Sequence, residues 1–398
     1  ATATVAPVND DVEAEVANGH KIEVADAVVT DGTLTITVNN TGKGYTFFKA
    51  DAFRLTLTSL YEPLDNYLGL TYEVCLEKDA VSSYLATSPY DEGAASVISS
   101  YATDATARYD QPNIVTIDIP LQDEATTLTL SNKSDFSEAQ TFTVAAGSVA
   151  YSLPNLLPQQ TYYYNVERDG ELVASGTVTT TGRLRMMKAE GIANMRDLGG
   201  WLTTDGLRLR YGKLYRGSEL AAGQTYTATE ADLAMLKALD IQAEVDLRED
   251  IDFATGTMGA SAIDGASYYY ANLSHWSEDA LNLDTERLKN AFDLILASLR
   301  DGHAAYFHCI FGADRTGCLA FLLEGLLGLP VDQLYKDYEL TSFSTAGLRE
   351  KSGIDHKLQY IRNLPGASLQ KQFFNYWRGA VGVSDADLLD FISIMTDG

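Results

Sequence analysis

The stretch from Ala304 to Pro330, AAYFHCIFGADRTGCLAFLLEGLLGLP, leaves few ways for the chain around it to fold. AAYFH reads as a buried strand ending at His308, and an apolar helix is expected to begin near Thr316. Between them lies a short loop, Cys309-Ile310-Phe311-Gly312-Ala313-Asp314-Arg315. A loop that runs into a helix N-terminus turns successive N–H groups toward one point and adds the helix dipole, which together make an anion site. A thiol at the start of such a nest is favoured as thiolate and can act as a nucleophile. Arg315, six residues after Cys309, offers a planar fork that suits two phosphoryl oxygens, which Lys could not match. Gly312 lets the loop bend, and Thr316 can give its hydroxyl to the Cys309 sulfur as it leaves. The chemistry implied is phosphoryl transfer in two steps through a thiophosphate. A plain buried Cys beside a solvated Arg is the bland alternative.

The rest of the C-terminal half fits a domain built around that unit. Helical patterns (TEADLAMLKALD, TERLKNAFDLILASLRDG, SDADLLDFISIM) alternate with short apolar strands (AEVDLR, ASYYYANL, AAYFH). This predicts an α/β domain over 183–398 with a mostly parallel central sheet flanked by helices. Before Gly182 the texture is different. Alternating strand patterns fill 20–75, residues 91–108 read as one helix, and short strands at roughly ten-residue intervals return from about 110. The reading is multi-domain: a mostly-β region of unnamed type over 1–109, a β-sandwich over 110–182, then the α/β domain. The run LPNLLPQQTYYYNV resembles the late strands of fibronectin type III domains, so 110–182 is expected to be fibronectin III-like. Residues 1–182 are read as an accessory module.

Composition removes other classes. The formal charge is −26, which argues against a nucleic acid or an anionic membrane surface as partner. Three cysteines and five histidines, scattered along the chain, support neither a disulfide scaffold nor a metal centre, so no metal and no cofactor is expected. No apolar run is long enough to span a bilayer. The Tyr- and Thr-rich β region resembles exported bacterial proteins, and export with a removed leader is the expectation.

Further motifs support the loop. Asn194-Met195-Arg196-Asp197-Leu198-Gly199-Gly200 comes first, then Tyr215-Arg216-Gly217-Ser218, then Asp246-Leu247-Arg248, and last HCIFGADRTG. In this order they resemble the cysteine-dependent protein tyrosine phosphatases, and within them the bacterial tyrosine-phosphatase-like branch with NFRDLGG and HCxxGKDRTG motifs. The resemblance covers about 190–398. It implies a phosphatase fold, Cys309 as nucleophile, Arg315 on the phosphate, and the loop from Ile310 to Thr316 as its cradle. A phosphorylated substrate follows: phosphotyrosine or a related phosphomonoester, with inositol phosphates or phosphoinositides as the alternative. The branch usually has Lys where this chain has Ala313, which weakens the polyanionic alternative. An idle phosphate-binding module and an adhesive β module are the readings of another class.

The leaving oxygen needs a proton donor. Asp314 is preferred, as the branch looks like one that uses this residue. Asp279, beside Trp276 and about thirty residues before Cys309, is the alternative acid on a lid, and His275 comes third. His308 is expected to bond loop backbone. Arg196 and Asp197 are expected to pair with each other and brace the pocket, with Asn194 on nearby backbone. Arg216, Asp246 and Arg248 read as structural, and Cys318 as core.

Overall fold

The computed structural model describes residues 64–90, 93–104, 106–254, 256, 258–273 and 284–397. The strand patterns before residue 64 lie outside the described residues. The strands are β1 (Leu70–Cys75), β2 (Val115–Asp118), β3 (Thr126–Ser131), β4 (Gln140–Val144), β5 (Ala150–Leu153), β6 (Thr161–Arg168), β7 (Glu171–Thr181), β8 (Arg196–Asp197), β9 (Leu214–Gly217), β10 (Ile241–Asp246), β11 (Ser267–Tyr270) and β12 (Ala304–His308). The α-helices are α1 (Asp79–Leu85), α2 (Glu230–Ala238), α3 (Thr285–Arg300), α4 (Asp314–Leu326), α5 (Val331–Glu339), α6 (Ser352–Arg362), α7 (Leu369–Tyr376) and α8 (Asp385–Met395). Among the described residues, no helix is long and apolar enough to cross a membrane.

Two compact units divide the chain. Of the described residues, one unit takes those up to Leu70 with Asp118–Tyr151 and Tyr163–Gly176; the other takes those within Thr71–Ile117, Ser152–Tyr162 and from Thr177 on. In the first, β3 pairs antiparallel with β4 (Leu128 opposite Phe142) and with β6 (Leu130 opposite Tyr164). Its inward residues alternate along the strands, as a half-buried sheet requires: Leu128, Leu130, Tyr164 and Val166 are buried.

The second unit contains the α/β sheet, in the order β11-β10-β12-β9-β8. β11, β10, β12 and β9 run parallel, and β8 closes one edge antiparallel to β9. Every residue of β12 is buried, as expected for a central parallel strand covered on both faces. In register, Asp246 lies opposite His308, and His308 opposite Gly217, so three strands end together at one edge. Ligands of open α/β sheets bind at that edge. Leu288, Phe292 and Ile295 of α3 and Leu319, Phe321 and Leu322 of α4 are buried in one core cluster with Val245 and Phe307. The periodic sequence patterns predict α2, α3, α4 and α8 in their observed places. Helix α4 starts at Asp314 rather than near Thr316, which puts Asp314 and Arg315 in its first turn.

One expected element is absent. Among the described residues of 91–108 there is a 3-10 turn, Ile98–Ser100, and no α-helix. The segment lacks a helical apolar stripe and is rich in Ser, Asp and Thr, whose side chains compete for backbone partners. The helix lies earlier, at α1, whose Val81, Tyr84 and Leu85 join the α/β core cluster together with Tyr90 and Ile98.

Candidate active site

Cys309 follows the last residue of β12 and is buried. The loop after it is tied back through its carbonyls. The Cys309 oxygen lies 3.2 Å from His308 Nδ1, and the Ile310 oxygen accepts from the Glu219 amide at 3.0 Å. Asn194 Nδ2 reaches the Phe311 oxygen at 3.4 Å and the Gly312 oxygen at 2.8 Å, and Arg216 Nη2 also donates to the Gly312 oxygen at 3.0 Å. In a trans peptide the N–H points opposite to the carbonyl, so a loop held by its oxygens turns its amides to the other side, as an anion nest requires. Gly312 is needed twice over: its φ is +64°, and a Cβ there would meet the Gly217 backbone at 2.4 Å.

Two buried networks form the floor. In the first, His308 Nε2 lies 2.9 Å from Glu244 Oε1, with Asp246 4.0 Å from Nδ1. Burial opposes the charged ring, but Asp246 and Glu244 outweigh it and raise the His308 pKa above its ordinary value. Asp246 also pairs with Arg248 at 2.6 Å, and Arg248 with Glu219 at 3.0 Å. Glu244, Asp246 and His308 are one grouping among the described residues whose atoms lie close enough to share a metal ion. Their oxygens already accept from Ser261, the Ala262 amide, Tyr268 and Arg248, so the donor set is that of an ion-pair network. In the second network Asp337 receives Arg196 at 2.9 Å and Arg216 at 2.5 Å. Burial works against its charge, yet the two guanidinium groups hold its carboxyl below the usual range.

This corrects one expectation. Arg196 pairs with Asp337, not with Asp197. Asp197 faces Arg185 at 3.7 Å and accepts from the Gly199 and Gly212 amides, so it secures its own turn. Successive strand residues point to opposite faces, which separates the two side chains of the motif. Asn194 grips loop backbone as expected, and Arg216, Asp246 and Arg248 are structural ion-pair residues. Cys318 is buried in the core, and burial pushes its thiol up to about 12, which makes it inert.

Arg315 Nη1 donates to Asp252 Oδ2 at 2.6 Å and to the Leu247 oxygen at 3.2 Å. Burial disfavours its charge, but Cys309 and Asp252 more than compensate and raise its pKa. Among the described residues the buried Thr316 Oγ1 has no hydrogen-bond partner, so the expected bond to Cys309 is not formed. Ala313 is the buried residue that precedes α4. Phe311 stands edge-on to Tyr226, ring centroids 5.9 Å apart.

Asp314 is the first residue of α4. It does not bond Arg315; its carboxylate is forked by Arg349 at 2.7 and 3.0 Å, with Tyr338 OH at 3.4 Å. It is 53% exposed. Asp279, Trp276 and His275 lie outside the described residues. Arg349, Asp252 and Asp337 carry no local signature and were not among the sequence candidates.

Residues 187–375 match the tyrosine phosphatase family. The matched segment begins ahead of Asn194 and contains β12, the cysteine loop and Arg349. A Cupriavidus necator protein that carries the name tyrosine-protein phosphatase is 31% identical over 167 residues, 37% of this chain and 59% of that protein. The chain thus spans under two thirds of that relative's length. The crystal structure of Pseudomonas aeruginosa TpbA aligns with a TM-score of 0.27 and 16% identity, over 43% of this chain and 89% of TpbA. A crystal structure of Tk-PTP in a mutant form aligns with a TM-score of 0.21 and 18% identity, over 47% of this chain and 91% of that one.

Proposed function

We propose that this chain is a cysteine-dependent phosphatase that hydrolyses phosphomonoesters, phosphotyrosine or a related ester, through a phosphocysteine intermediate. One observation carries the reading: Cys309 sits at the end of β12 under a loop whose successive carbonyls are tied away from its centre, with Arg315 on the first turn beyond. The Cys309 thiolate attacks phosphorus, the P–O bond to the leaving group breaks, and an acid protonates the departing oxygen. Water then attacks the phosphocysteine, releasing inorganic phosphate and regenerating the thiolate. Loop amides and the Arg315 fork offset charge on the equatorial oxygens. Asp314 is the acid in this reading, and Asp279 is the alternative. The aromatic edge of Phe311 and Tyr226 beside the loop favours an aryl ester. The polyanionic alternative loses the Lys that Ala313 replaces but gains Arg349 at the rim, once that residue releases Asp314.

The paired strands β3, β4 and β6 support the fibronectin III-like reading of 110–182. Export remains part of the proposal, on the composition of the β region.

A phosphate-release panel tests it: a phosphotyrosyl peptide, a phosphoseryl peptide, inositol hexakisphosphate and phosphoinositide vesicles, each with C309S as control. The phosphotyrosyl peptide should be turned over fastest, and C309S should lose turnover on every substrate. Activity retained by C309S would sink the cysteine mechanism; a wild-type chain that binds phosphate without releasing it from any ester would make this a binding module.

A further inference from the structure

Thr71–Ile117 lies outside the family-matched residues but inside the unit that holds the cysteine loop. We infer that this segment is a clamp on the catalytic loop, gripping it at Gly312 through Asp110 and at Asp314 through Tyr84 and Tyr90. The inference rests on the phosphatase reading for its purpose, though not for its geometry.

The first arm starts at Asp110, which is 3% exposed. Its Oδ2 accepts from the Asn194 amide at 2.7 Å, and its Oδ1 from Arg108 Nε at 2.9 Å. Arg108 Nη2 reaches the Ile192 oxygen at 3.1 Å, so both ends of the Asn194 turn are held from this segment. Asn194 has φ +55°, a left-handed backbone that Asn tolerates better than most residues and that a buried acceptor on its N–H would fix. From that turn its side chain donates to the Gly312 oxygen at 2.8 Å and to Thr341 Oγ1 at 3.1 Å. Asp110 is therefore a positioning residue: it orients Asn194, and Asn194 sets the bend of the loop.

The second arm meets the loop's far side. Glu339 is fully buried, and its Oε2 accepts from Tyr84 OH at 2.5 Å and Tyr90 OH at 2.9 Å. Its Oε1 accepts from the Lys351 amide at 2.7 Å. Arg349, two residues before Lys351, forks Asp314. Without the tyrosines, a buried carboxylate oxygen would lose both of these donors, which a fold tolerates poorly. Phe343 connects the arms: Tyr84 and Tyr109 pack edge-on to its ring, with centroids 5.8 and 6.2 Å away.

The test uses the full chain and two variants, D110N and the double variant Y84F/Y90F. D110N is nearly isosteric but presents an amide where a carboxylate met two donors. Y84F/Y90F removes two hydroxyls and keeps the rings. Amide hydrogen exchange is followed at 309–313, at 349–351 and in β10, and orthophosphate affinity is read from protection of Cys309 against iodoacetamide. D110N should speed exchange at 309–313 by about tenfold and weaken orthophosphate binding by a similar factor, with β10 unchanged. Y84F/Y90F should speed exchange at 349–351 by several-fold. Wild-type exchange and orthophosphate affinity in both variants would overturn the clamp. So would acceleration by one common factor in β10 and the loop, which marks a role in global stability alone. A wild-type chain without turnover, combined with loop loosening in D110N, would refute the phosphatase reading and leave the clamp standing.

Discussion

The floor and the rim of the cysteine loop are built on opposite principles. The floor residues His308, Glu244, Asp246, Arg216, Arg196 and Asn194 are at most 2% exposed and engaged by charged or amide partners. Buried networks of this kind have one good geometry, and removing any member leaves a charge or donor stranded. The rim residues Asp314 and Arg349 pair in partial solvent, at 53% and 26% exposure. An ion pair so exposed contributes about 0–1 kcal/mol and can exchange partners cheaply. Binding an anion needs fixed dipoles, and passing a proton needs a group that can move. In the proposed mechanism the first requirement falls to the interior and the second to the solvent boundary.

Arg315 offers the sharpest way to break this division, because it is buried like the floor yet touches substrate in the proposed mechanism. In the resting geometry Asp252 holds its guanidinium at 2.6 Å. Arg315→Lys keeps the charge and loses the fork, and kcat/KM should fall by about 100-fold or more. Steady-state kinetics on an aryl phosphate, with orthophosphate inhibition alongside, checks this. A loss of only a few-fold would mean that charge suffices there and that the planar geometry is incidental.

At the rim, the effect should depend on the leaving group. Asp314→Asn should cost about 100-fold or more on an alkyl phosphate and little on a good aryl leaving group, which departs without a proton. Asp279→Asn should show less of that dependence. The reverse pattern would move the acid to the segment around Trp276. Equal losses on both esters would give Asp314 an architectural role, as Arg349's partner, and the rim would then be as structural as the floor.

The sequence reading anticipates local geometry where the residues are contiguous and misses contacts that are assembled across distance. Cys309, the Gly312 bend and Arg315 lie in one strand–loop–helix unit, so their spacing and residue types already point to the proposed chemistry. Asn194 was legible because a short motif contains it. Asp337, Asp252, Arg349 and Asp110 are single charged residues on α5 or in connecting segments. Each acquires its role only when the chain brings it to a partner: Asp337 is 141 residues from Arg196, and Asp110 is 84 from Asn194. The expected Arg196–Asp197 pair failed for the converse reason, since neighbours in sequence point to opposite faces of a strand. The accessory reading of 1–182 came from texture alone; β-rich composition says nothing about which core Tyr84 and Tyr90 will join.

The smallest predicted effect is a change in how stability depends on pH, and it should belong to the floor alone. The His308 pKa lies above its model-compound value of 6.5 in the folded chain because Asp246 and Glu244 outweigh burial. A base with a raised folded-state pKa binds its proton more tightly folded than unfolded. Its contribution to stability is then fully present below about pH 6.5 and is lost as pH rises through the folded value. Thermal midpoints of C309S, which removes the thiol next to His308, should therefore decline across that interval on the alkaline side of 6.5. C309S/H308Q should start lower, since it strands Glu244, and should lack that part of the decline. C309S/D314N changes only the exposed rim pair and should keep the decline of C309S. If C309S/H308Q shows the same slope as C309S, then His308 is neutral in the fold and Glu244 is satisfied by Ser261 and the Ala262 amide. If C309S/D314N flattens the slope instead, the titrating group is at the rim and the division drawn above is wrong.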